Sequence, residues 1–76
     1  MIAETSLFSH GFITDIYGNY WLTSSNIELE IELTNGIAKP TVHISHDIQW
    51  KLNPISNIDE LDSLIKEFEK VKKMIE

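Results

Sequence analysis

The chain has 76 residues, no cysteine and a formal net charge of −6, which gives room for one domain with one core and excludes disulfides and thiolate zinc sites. Its six basic residues are all lysines. Without arginine's planar fork, and at this charge, both a nucleic-acid binder and a polybasic membrane anchor are disfavoured.

The acids are unevenly spread. Residues 1–38 carry Glu4, Asp15, Glu28, Glu30 and Glu32 with no base among them, whereas the remainder sets six lysines against seven acids. A domain this small has marginal stability, so it needs efficient packing or a partner chain such as a second copy. No run is long and apolar enough to span a bilayer, and Met1–Phe12 has no basic residue and no continuous apolar stretch. These features predict a cytoplasmic protein without a secretory signal and without membrane contact.

Residues 12–23 read as a hairpin turning at Gly18-Asn19, which sets Tyr17 opposite Tyr20, Ile16 opposite Trp21 and Asp15 opposite Leu22. In that register both faces are apolar. Phe12, Ile16 and Trp21 share one face, and Ile13, Tyr17, Tyr20 and Leu22 share the other. One helix covers one face only, so the second is either an association surface or is covered by Leu7, Phe8 and the N-terminal arm. Ser24-Ser25-Asn26 breaks the pattern.

Residues 27–34 alternate strictly, with Ile27, Leu29, Ile31 and Leu33 set against Glu28, Glu30, Glu32 and Thr34, which is a strand with one buried and one wet face. Asn35-Gly36 supplies a type I′ turn. Counting outward from it pairs Thr34 with Ile37, Glu32 with Lys39, Glu30 with Thr41, Leu29 with Val42, Glu28 with His43 and Ile27 with Ile44. Acid then meets base on one face and apolar meets apolar on the other. Pro40 falls opposite Ile31, its missing N–H turned away from that partner toward an edge or a bulge. Alternation continues through Ile48, Trp50 and Leu52 after an interruption at Ser45-His46-Asp47, and Asn53-Pro54 ends it.

Residues 57–75 form an amphipathic helix whose stripe is Ile58, Leu61, Leu64, Ile65, Phe68, Val71 and Ile75. Asn57 and Glu60 make a capping-box pair, and acids lead while lysines trail, in dipole order. Asp62–Lys66 and Glu69–Lys73 are spaced as i,i+4 ion pairs. The fold class is therefore α+β over a single domain, 1–76. An antiparallel sheet of three to five strands and two hairpins fills residues 1–53, and one C-terminal helix packs on one face.

Three constellations carry possible chemistry. His43, His46 and Asp47 are metal-ligand or hydrolytic residue types, but in a strand His43 and His46 point to opposite faces, so a site forms only if the chain turns between them. Trp21 and Trp50 suit stacking of single-stranded bases, though no positive groove accompanies them, and core positions are the simpler reading. His10 with Ser6 and Ser9 lacks any elbow pattern and reads as a turn before a strand. No catalytic residue, metal or cofactor is assigned.

The expectation is a small, acidic, non-enzymatic protein-interaction module. It contacts a protein partner or a second copy through Ile13, Tyr17, Tyr20 and Leu22, with Glu28, Glu30 and Glu32 as the steering surface. By analogy of size and charge alone, phage or mobile-element inhibitors of the anti-CRISPR or anti-restriction type fit this description.

Overall fold

The computed structural model describes residues 1–45 and 47–75. Two helices lie on one face of a five-stranded antiparallel meander, with strand order β1-β2-β3-β4-β5. The elements run α1 (Glu4–Ser9), β1 (Ile13–Thr14), β2 (Tyr20–Thr23), β3 (Ile27–Thr34), β4 (Ile37–Ile44), β5 (Ile48–Lys51) and α2 (Ile58–Ile75). The predicted α+β class holds, with the strand count at the top of the expected range. Among the described residues no helix is long and apolar enough to cross a membrane.

The central hairpin follows turn chemistry and alternation. β3 and β4 pair from Thr34↔Ile37 to Ile27↔Ile44, as counted from the turn. Asn35 and Gly36 both take positive φ, 53° and 79°, as a type I′ turn requires. Ile27, Leu29 and Ile31 are buried against Leu61 and Phe68 of α2. Pro40 meets the expected irregularity on its other side. β4 pairs with β5 at Thr41↔Lys51, but Ala38 bridges Ile55, one residue out of step. The chain therefore bulges through residues 52–54, opposite the proline that has no N–H to offer.

The helix α2 is capped as read. Asn57 Oδ1 accepts the Glu60 N–H (2.9 Å), and Glu60 Oε1 accepts from the Asn57 side-chain amide (2.9 Å) and the Ser56 N–H (3.3 Å). The predicted i,i+4 ion pairs give way to Glu67–Lys70 and Glu69–Lys72, one residue closer in spacing. Asp62 instead accepts from His10, whose Nε2 lies 2.8 Å from Asp62 Oδ1 and whose Nδ1 lies 2.7 Å from the Ser6 carbonyl. His10 is thus a tie between the two helices.

The first hairpin departs from expectation. Its pairs are Ile13↔Trp21 and Thr14↔Tyr20, not Tyr17↔Tyr20. Asp15–Asn19 forms a five-residue loop because the Asp15 carboxylate offers the backbone a better turn. Its Oδ1 accepts the N–H groups of Tyr17 (2.8 Å) and Asn19 (3.0 Å). An odd shift in register swaps every β1 side chain to the other face of β2. Ile13 accordingly joins Trp21, while Tyr20 and Leu22 pair with Ile31 and Leu29 on the core side.

The N-terminal arm covers that end of the core, and it does so as the helix α1, which was not expected. Ile2 and Leu7 are buried, and the Phe8 ring lies 5.8 Å from Tyr20. The Tyr20 hydroxyl donates to the Glu4 carboxylate. Gly11, at φ +93°, lets the chain leave α1 directly into Phe12, whose N–H returns to the Leu7 carbonyl (3.1 Å).

Candidate functional site: the open face of the sheet

Both helices occupy one face of the sheet, so the other faces outward. The register places two rows on it. One reads Ile13, Trp21, Glu30, Thr41, Lys51 across all five strands, and the next reads Thr23, Glu28, His43, Gln49. Glu32 and Lys39 sit opposite one another beyond them. A depression of about 300 Å³ opens beside this pair, lined also by Thr41, Gln49 and Lys51.

A chain of hydrogen bonds and one ring contact runs through the middle of this face. The Trp21 indole N–H donates to Asp15 Oδ2 (2.8 Å). The Trp21 ring lies 5.1 Å from the His43 ring, tilted by 34°. His43 Nε2 lies 2.8 Å from Glu30 Oε1, and the Asn19 amide donates to Glu30 Oε2 (3.0 Å). Both oxygens of Glu30 and both oxygens of Asp15 are therefore engaged, which suits a rigid docking surface. The Asp15 carboxyl is held below its ordinary value, chiefly by the indole N–H and further by backbone N–H groups, against a smaller opposing effect of desolvation.

The expected His43–Glu28 pair is corrected by this arrangement. Glu28 is the direct cross-strand neighbour of His43, yet the bond goes to Glu30 on the diagonal. Glu30 sits opposite Trp21, so a histidine ring laid against the indole turns its Nε2 toward that carboxylate, within diagonal reach.

The expected partner-binding residues are split. Ile13, 61 % exposed, lies on the open face, and Tyr17, 83 % exposed, stands at the loop tip. Tyr20 is buried and Leu22 half-buried on the core side, so the four do not share one face. Glu28, Glu30 and Glu32 do share the open face. Residue patterning alone does not unite Trp21, the Asp15 loop and Asn19; the signal it holds is Asp15 followed by Gly18-Asn19, an Asx-turn pattern.

His43 is bound into the Trp21–Glu30 chain, Asp47 is exposed in the β4–β5 turn, and His46 lies outside the described residues. Among the described residues, no group of three or more His, Cys, Asp or Glu side chains is placed to hold a metal. Neither tryptophan is a core residue. Trp21 belongs to the open face and Trp50, paired with Val42, to the opposite one, so the two cannot form a single stacking platform. The chain matches no protein-family model, no curated protein and no solved structure.

Proposed function

We propose that this chain is a non-enzymatic interaction module that docks a basic protein surface onto the open face of its sheet. One observation carries the reading. A sheet covered on one side only presents Glu28, Glu30 and Glu32 in line on its other side, beside Ile13 and Trp21. Apolar contact at Ile13 and Trp21 supplies area, and the acids supply steering and register. The chain Asp15–Trp21–His43–Glu30–Asn19 holds the surface in one geometry, which lowers the ordering cost of association.

The finer form is a phage or mobile-element inhibitor that occupies the basic nucleic-acid channel of a host enzyme. It is supported by size, by acidity and by a row of carboxylates facing outward. Affinity capture from a bacterial lysate, run side by side with the wild type and with Glu28→Lys/Glu32→Lys, tests it. A nucleic-acid enzyme retained by the wild type, weakened by salt and lost from the variant is the expected result. A partner retained equally by both, and insensitive to salt, refutes the reading.

A further inference from the structure

The sheet ends at β5, and α2 does not reach over it. Ile48, Trp50 and Leu52 alternate toward the core face, yet Ile48 is 46 % and Trp50 58 % exposed. Trp50 and Leu52, with Val71 and Phe68 of α2, border an apolar groove of about 170 Å³ that is continuous with Ile27 and Val42 of the core. An edge strand with an uncovered apolar row beside it is a template for another strand.

The backbone of β5 says which residues are available. Hydrogen bonds alternate along β4. Ala38 and Pro40 bond toward the β5 side, through Ala38 N–H to the Ile55 carbonyl (2.8 Å) and Leu52 N–H to the Pro40 carbonyl (2.9 Å). Val42 and Ile44 continue that parity, so Trp50 and Ile48 bond inward, while Gln49 and Lys51 aim their N–H and C=O groups at the free edge.

We propose that β5 pairs antiparallel with β5 of a second copy of this chain, about a two-fold axis at Gln49. In that register Gln49 meets Gln49, Ile48 meets Trp50, and Asp47 meets Lys51, each of the last two twice. Apolar falls on apolar and acid on base, and the outward-pointing residues become the bonded pairs. An axis at Trp50 sets Lys51 against Gln49 and leaves it without an acid. An axis between two residues would set side chains of opposite faces against each other. The self-complementary charge of one short strand and the turn residue that precedes it thus selects a symmetric partner, as an isologous interface requires. The partner's Trp50 closes the open end of each core, which answers the need of a small domain without staples. The result is one continuous ten-stranded sheet with both acidic faces on the same side, so the dimer does not compete with the basic partner proposed above.

Light-scattering mass across a dilution series of the full chain tests this. The expected result is twice the chain mass of 8.8 kDa, falling to the single mass on dilution. Asp47→Lys places like charges opposite one another and should raise the dimer dissociation constant about tenfold, and Asp47→Lys/Lys51→Asp should restore it. Gln49→Pro removes a donor aimed at the free edge and should give a folded monomer by circular dichroism. Should that variant fail to fold, the charge swap decides alone. Glu28→Lys/Glu32→Lys should leave the dimer intact, which separates this inference from the basic-partner reading. A wild type that is monomeric at every concentration, as a face reserved for a foreign strand would be, overturns the proposal. So does a double variant that does not recover.

Discussion

Truncating Phe68 to alanine probes how the helix holds the sheet. Phe68 is 4 % exposed and Leu61, two turns earlier on the same stripe, is fully buried. Removing a buried phenylalanine costs about 3–5 kcal/mol, of which part is transfer of the lost surface and part is the empty volume left behind. Phe68 borders the groove under Trp50 and Leu52, so its removal enlarges a space already open to solvent. The empty-volume share is therefore small, and the cost should fall near the low end, about 3 kcal/mol. Leu61 has no such opening. Leu61→Ala costs about 2–5 kcal/mol in general and should here match or exceed Phe68→Ala despite removing fewer atoms. For a domain of this length total stability is about 4–11 kcal/mol, so either change moves the urea midpoint by a large fraction of its value. Urea unfolding followed by tryptophan fluorescence, at a dilution where light scattering gives the single-chain mass so that association does not enter, measures both. If Phe68→Ala costs much more than Leu61→Ala under those conditions, the groove is closed within the single chain and the account of α2 stopping short of β5 is wrong. If neither costs more than about 1 kcal/mol, the helix does not pack on the sheet at all.

Three further outcomes follow from the same geometry. The Tyr20 phenol is pushed above its ordinary value of 10.0, first by its hydrogen bond to Glu4 and then by burial. Folding therefore favours the protonated phenol, and stability should be level below pH 10.0 and fall as pH rises past it toward the folded-state value. Tyr20→Phe should abolish that alkaline slope in thermal melts and cost about 1 kcal/mol at neutral pH, since Glu4 is exposed and water replaces the lost donor. Asp15 has the opposite sign. Its carboxyl is lowered below 3.8, so its contribution is present above that pH and is lost as pH falls through the folded-state value. Asp15→Ala should flatten the acid limb of stability and shift Trp21 emission by freeing the indole N–H. At Gly36, an added Cβ would lie 2.8 Å from the Met1 side chain at φ +79°. Met1 is 91 % exposed and can swing away, so Gly36→Ala should cost about 1–2 kcal/mol from backbone strain alone, and removing the Met1 side chain in the same protein should not rescue it.

Local chemistry decided more of this molecule than its size suggests. Asn35-Gly36 and the strict alternation of Ile27–Thr34 determine the β3–β4 register residue by residue, because a one-residue slip would expose every apolar side chain of the strand. The stripe, cap and charge order of α2 are equally local. Pro40 limits its outer side to an edge or a bulge, and the out-of-step bridge Ala38↔Ile55 makes it a bulge. These features lie within a few residues of their causes, so the amino-acid order alone contains them.

Tertiary structure decided the rest, and with it the site. Asp15 closes the first loop partly through the indole of Trp21, and that indole is laid against a histidine on β4, two strands away from Trp21's own. A turn dipeptide read in isolation contains none of that. The odd register shift that results sends Tyr20 and Leu22 inward under α1 and Ile13 outward beside Trp21. The side chains that form the open face were thus legible as residue types. Their gathering was not, because it depends on competing hydrogen bonds between segments far apart in the chain, and only the folded sheet sets those distances.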